Sequence, residues 1–256
     1  MNATLCGKAM LQSFALLLLL LLTVTACTGL KPLISLDPAR KTDVLEKCRR
    51  PFLPEKYRLV HALETETPDG GKGTAIGVLV ADPRTRGFRT VMMTIEGFVL
   101  FDAEAGETLI VHRAVPPFDK PAFAEGLAGD LRLAFFAPGG EPTSWGAGEG
   151  GAPACRYGRA DGGFVEVMTR EDGGTLIRLY GSGHALLKTV TTSLPERPGL
   201  AETLEIRGGW PPYLLRLRLL ESDALDDHSD PNPAGTLTGA EPSGSGNENG
   251  KGKKIP

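Results

Sequence analysis

Alternation of apolar and polar side chains organises the centre of the chain. Tyr57, Leu59, His61 and Leu63 alternate with Arg58, Val60, Ala62 and Glu64. This is the period of two of a strand with one apolar face. Pro68-Asp69-Gly70-Gly71 reads as a turn. Ile76, Val78 and Val80 then mark the expected inward face of a second strand, which Asp82-Pro83 ends. Phe88 to Thr94, Phe98 to Phe101 and Thr108 to Val115 follow as three more strands. Five strands with short turns predict an antiparallel meander. Pro116-Pro117 stops it, and the period changes. Asp119 is placed to cap a helix, Pro121 suits its first turn, and Phe123, Leu127, Leu131 and Phe135 recur at helical spacing. Gly139 to Pro153 is expected to be a glycine-rich loop. Alternation returns in Phe164 to Arg170, Thr175 to Tyr180 and Leu186 to Thr192, with a Glu171-Asp172-Gly173-Gly174 turn between the first two. Leu194 to Gly199 reads as irregular, and Leu204 to Arg207 pairs with Tyr213 to Leu220. In that last strand Tyr213, Leu215, Leu217 and Leu219 share one face, with Arg216 and Arg218 on the other. The fold class predicted is mainly β, in an α+β arrangement.

The two ends of the chain differ from this centre. Lys8 precedes an unbroken apolar run from Phe14 to Leu22, the layout of an export signal. Val24-Thr25-Ala26-Cys27 follows directly and resembles the bacterial lipobox. That resemblance implies cleavage after Ala26 and a lipid on the Cys27 thiol. The competing reading is an uncleaved anchor over Ala9 to Ala26, which approaches the ~20 residues of a spanning helix. Against it, no basic cluster follows Cys27 directly. Residues 1–26 are therefore expected to be a signal peptide, 27–47 a tether interrupted by Pro32 and Pro38, 48–222 a folded domain and 223–256 a disordered polar tail. Thr28 replaces the aspartate that marks inner-membrane retention in the enterobacterial lipoprotein system, which implies an outer-membrane location facing the periplasm.

Composition and chemistry exclude more than they assign. A net charge of −3 offers no basic excess to neutralise phosphates, so nucleic acid is excluded as a partner. Of four cysteines, Cys6 leaves with the signal and Cys27 carries the lipid. Cys48 and Cys155 remain in an oxidising compartment, where they are candidates for a disulfide or for two separate buried thiols. Gly146 to Gly151 fits GxGxxG formally but lacks the strand before and the helix after. Gly71-Lys72-Gly73-Thr74 lacks the spacing of a phosphate loop. Ser182 and His184 share a two-glycine turn that does not hold them together. His61, His112, His184 and His228 show no paired metal spacing. A hydrolase using His61, His112 or Ser182 is the reading left for an enzyme. The expectation is a non-enzymatic protein with neither metal nor cofactor.

The order of these elements resembles the LolA/LolB superfamily, and more closely a family of short bacterial outer-membrane lipoproteins distantly similar to LolB. The segments that carry the resemblance are Met93-Thr94-Ile95-Glu96-Gly97-Phe98-Val99-Leu100-Phe101-Asp102, then Pro117-Phe118-Asp119 with its helix, then Tyr213 to Leu220. It implies an incomplete antiparallel β-barrel with one or more helices covering the open side, around an apolar cavity that holds acyl chains. Leu59, Val78, Met92, Leu109 and Leu217 are the candidate lining. Where LolB exposes a leucine on a loop between early strands, this chain has Glu96, which leaves Ile95 and Phe98 as candidate membrane-contact residues. The partners implied are membrane lipid through Cys27 and an acyl-chain or lipoprotein ligand. The alternative function is a structural or partner-binding envelope lipoprotein with a filled core and no ligand.

Overall fold

The computed structural model describes residues 31–66, 70–209 and 212–225. A 3-10 turn at Pro38–Arg40 leads into helix α1 (Lys41–Arg49). The first meander comprises β1 (Tyr57–Glu66), β2 (Lys72–Asp82), β3 (Gly87–Met93), β4 (Val99–Ala105) and β5 (Leu109–Ala114). Helix α2 (Pro121–Phe135) follows. The second half contains β6 (Ser144–Ala147), β7 (Pro153–Gly158), β8 (Phe164–Thr169), β9 (Thr175–Tyr180) and β10 (Leu186–Thr192). A small separate pair, β11 (Pro195–Arg197) and β12 (Leu200–Ala201), precedes β13 (Thr203–Gly209) and β14 (Pro212–Ala224).

Twelve strands form one antiparallel sheet in the order β5-β4-β3-β2-β1-β14-β13-β10-β9-β8-β7-β6. The last strand, β14, pairs with the first, β1, and so joins the two meanders. The edges β5 and β6 are not paired with each other, so the barrel is incomplete. That the sheet curls follows from α2. This helix touches both β5 and β9, which stand eight strands apart in the order. In a flat sheet they would lie about 38 Å apart at ~4.8 Å per strand, several times the diameter of a helix. Only a curled sheet brings both to one helix. Its inner face carries the core, including Leu59, Phe101, Ile177, Val190 and Ile206.

The expected boundaries need correction at both ends of the domain. Residues 38–47, read as tether, instead form the 3-10 turn and α1, whose Val44 and Cys48 are buried in the core. Nine residues with so few apolar positions display too little of the helical period to be recognised. Leu33 and Ile34 form an extended strap, and Ile34 exchanges two 2.8 Å backbone hydrogen bonds with Ala147 of β6. At the other end β14 continues to Ala224, past the boundary expected at 222. The signal segment, Cys27 and the tail beyond 225 lie outside the described residues, as do Pro68 and Asp69 of the first turn.

Two further differences concern registry. The expected glycine-rich loop contains β6 and leads into β7. Gly146 belongs there because a Cβ would sit 2.3 Å from the Ile34 carbonyl oxygen, so the strap can approach only glycine. The inward face of β2 is the opposite of the one predicted. Gly77, Leu79 and Ala81 are buried, with Leu79 opposite Leu59 and Gly77 opposite both His61 and Met92. Val78 stands on the outer face between Val60 and Val91, so it does not line the interior. Both faces of β2 are apolar, so alternation alone carries no phase, and pairing with β1 sets it.

Candidate ligand site beneath helix α2

Strand directions place both ends of α2. The β3–β4 and β9–β10 turns and the start of β14 share one end of the sheet, which follows from the antiparallel order. The start of α2 lies at that end, because it directly follows β5, which runs towards it. The other end of the helix meets the opposite rim: Arg132 donates to the Gly106 carbonyl at 3.0 Å, and the Phe135 carbonyl accepts from the Leu53 amide at 3.1 Å. Lys120 occupies the N-cap position without a side-chain cap, so the expected Asp119 cap is not made. The buried face of α2 is also rotated from the expected stripe. Ala124, Ala128, Leu131, Ala134 and Phe135 are buried, whereas Leu127 is half-buried and Phe123 is 41% exposed. Small alanines let the helix sit close to the sheet alongside Leu131 and Phe135, and Phe123 and Leu127 turn to its flanks.

One charged residue, Asp130, lies on that buried face. Its carboxylate accepts a 2.5 Å hydrogen bond from the Tyr213 hydroxyl of β14 and pairs with the Lys188 ammonium of β10. Lys188 also donates to the Gly126 carbonyl at 3.3 Å, and its ammonium lies 5.9 Å from the centre of the Tyr213 ring. Burial, then the adjacent Asp130 charge and the hydrogen bond to it, push the Tyr213 phenol well above its ordinary pKa. It therefore stays a donor at every physiological pH. The ring needs Gly208 beneath it, where a Cβ would fall 2.0 Å from a ring carbon. Removing Lys188 would leave the buried Asp130 charge unpaired, whereas removing Asp130 leaves a Lys188 side chain that is 21% exposed, so the loss there is smaller than the ~3–5 kcal/mol of a fully buried pair. Aromatic packing adds to the fixation at this end: Phe118 meets Phe123 edge-on at 4.9 Å and lies 6.3 Å from Phe101.

Beneath the C-terminal half of α2, Leu59, His61, Ala134, Phe135, Leu204 and Leu219 are among the residues around a cavity of about 10 Å³. That is room for about one water molecule. His61 is buried with its ring centre 5.7 Å from that of Phe135, and burial lowers its pKa to about 4. It is a neutral imidazole in the core.

Of the expected lining, Leu59, Met92 and Leu217 are buried on the inner face, and Leu109 packs against the core from edge strand β5. Val78 is the exception described above. Ile95 and Phe98 project from the β3–β4 turn, 76% and 52% exposed, at the same end as the start of α2. The Arg113 guanidinium lies 5.1 Å from the centre of the Phe98 ring. Cys48 of α1 and Cys155 of β7 form a disulfide with a Cα–Cα separation of 6.2 Å. His61 and His112 do not meet, since His112 is on the exposed outer side of β5 beside Glu104. His184 packs edge-on against Phe164. Among the described residues no group of three or more histidine, cysteine or acidic side chains could hold a metal, and no helix is long and apolar enough to cross a membrane. The Asp130–Lys188–Tyr213 cluster was not anticipated. Its one signal in the sequence is a carboxylate within an apolar helical stripe.

These features define a class: an open antiparallel barrel whose apolar inner face is covered by helices rather than by a second sheet. Solved structures similar in fold include a LolA superfamily protein from Nitrosomonas europaea, with a TM-score of 0.48 and 11% identity over 72% of this chain and 93% of that one. A candidate outer membrane lipoprotein-sorting protein domain from Vibrio parahaemolyticus gives 0.45 and 10%, over the same shares of the two chains. A DUF1329 family protein from Desulfovibrio piger gives 0.40 and 6%, over 76% and 96%. These likenesses concern the fold alone. No family model and no curated protein matches the sequence.

Proposed function

We propose that this chain is a lipid-anchored envelope protein whose curled sheet takes up an apolar acyl chain in place of helix α2. The anchor is Cys27, and the location that fits it is the outer membrane, facing the periplasm. The observation that carries the reading is the way the inner face is closed. Of the two helices that cover it, α1 is tied to β7 by the disulfide, whereas α2 has a largely alanine-lined contact and is fastened to β10 and β14 by three polar side chains. A helix that lifts exposes a continuous apolar surface, including Leu59, Met92 and Leu217. Acyl CH2 groups buried there contribute about 0.8 kcal/mol each. The exposed Ile95 and Phe98 stand beside the entrance as candidate contacts for an incoming acylated partner or for the membrane that carries it.

The test is titration of the purified chain with an environment-sensitive fluorescent fatty acid. Asp130→Asn removes the ion pair while keeping the side-chain shape. Apparent affinity scales with the fraction of open molecules, so destabilising the closed state by about 1.4 kcal/mol should tighten binding about tenfold. Tyr213→Phe, which leaves the ion pair in place, should give a smaller gain. Saturable binding strengthened in both variants supports the reading. Absence of saturable binding by the wild-type chain and by both variants, all folded by circular dichroism, overturns it. One observation favours a second reading, a structural envelope lipoprotein with a filled core: the cavity of about 10 Å³ beneath α2 is far smaller than any acyl chain.

A further inference from the structure

The strap at Lys31–Leu36 restricts where the domain can lie relative to its membrane. Coming from the N-terminus, it starts on the outer face of the sheet. There the Lys31 carbonyl accepts a 2.6 Å hydrogen bond from the Arg156 guanidinium of β7. Arg156 itself belongs to the outer face, paired across β8 with the buried Glu166, which Arg178 of β9 also approaches. The strap then passes Gly146, pairs with the β6 edge through Ile34 and turns inward to α1. The first described residue is thus fixed against one wall of the barrel.

Cys27 precedes Lys31 by four residues. Even a fully extended chain covers at most about 3.6 Å per residue, so Cys27 lies within about 14 Å of the Lys31 backbone. A tether of the twenty-one residues expected from the sequence would have let the domain tumble freely. Four residues do not. We infer that the lipid surface carrying the anchor lies against the outer face of β6–β9, so that the domain is held in one orientation rather than on a flexible leash. This rests on the Cys27 anchor of the proposed function. The wall suits such contact. Ile34 is 67% exposed beside the tether, and on the same outer face the half-buried Tyr180 and the exposed His184 cover the buried Phe164 ring, with Tyr180 stacked on it at 4.5 Å. Aromatic rings with polar edges favour the headgroup layer.

The test uses the full lipidated chain in vesicles of phosphatidylethanolamine and phosphatidylglycerol that carry a nitroxide quencher on their headgroups. A fluorophore is attached at Glu149→Cys, in the turn beside Arg178, or at Glu96→Cys, in the β3–β4 turn. Both positions are exposed. The expected result is quenching several-fold stronger at position 149 than at 96. Insertion of about twenty Gly/Ser residues between Leu30 and Lys31 lengthens the tether to a random coil of roughly 27 Å and should erase the difference. Equal quenching at the two positions, or stronger quenching at 96, in protein that floats with the vesicles overturns the orientation and leaves the anchor standing. Failure to float overturns the anchor, and the orientation with it. Fatty-acid binding is a separate readout that neither outcome decides.

Discussion

Acid should loosen this domain through a single core histidine. Burial lowers the His61 pKa from 6.5 to about 4, because the imidazolium would sit among Leu59, Phe135 and Leu204, away from bulk solvent. In the unfolded chain the same side chain titrates at its ordinary value. Between the two values the unfolded state binds more protons, so stability falls as the pH drops. The sign is that of a neutral group forced to charge on burial. The contribution is intact above about pH 7.5, where neither state is protonated. At pH 5 the loss is about 2 kcal/mol, and below pH 4 it approaches about 3 kcal/mol. Carboxylates titrate in the lower part of the same range, so the comparison must be made against a variant. His61→Leu keeps the site apolar and removes the titration. Urea unfolding of both proteins at pH 7.5, 6.0, 5.0 and 4.5 measures the difference. The wild type should lose about 2 kcal/mol more than His61→Leu between pH 7.5 and 5. Parallel curves for the two proteins would refute the burial argument.

Two further perturbations probe the framework. Replacing both Cys48 and Cys155 with alanine opens a link between residues 107 apart, and the chain-entropy relation gives a loss of about 5 kcal/mol, measurable by urea unfolding of variant against oxidised wild type; a loss under 1 kcal/mol would mean the link adds little. Leu79→Ala should cost about 2–5 kcal/mol as a core truncation, whereas Val78→Thr on the outer face should cost under about 1.5 kcal/mol. The reverse order would show that β2 is paired in the other phase.

The Asp130–Lys188–Tyr213 cluster gives α2 its specific seat. Apolar contact alone is non-directional and would let a helix of alanines slide along a smooth inner face. A carboxylate that must meet an ammonium and a hydroxyl on two separate strands fixes the helix in rotation and translation. The same cluster gives the closed state its point of release, because loss of one partner turns a stabilising pair into an uncompensated charge.

The chain by itself determines most of the strands, the turn chemistry between them and the existence of α2. It also determines the inward faces of β1 and β14, since Tyr57, Leu59, His61 and Leu63 alternate along the strand with Arg58, Val60, Ala62 and Glu64, and Leu215 and Leu217 alternate with Arg216 and Arg218. Where only one face is strongly apolar, local period and burial coincide. The tertiary structure decides the rest. The phase of β2 depends on its register with β1, because either of its faces could be buried. The seat of α2 depends on Asp130 finding its partners 58 and 83 residues away. The short helix α1 and the strap at Ile34 are held by a disulfide, by the burial of Val44 and by the β6 edge. Too little apolar period exists in either segment for a local pattern to announce it, so their order arises from contacts distant in sequence, which an isolated stretch of chain does not contain.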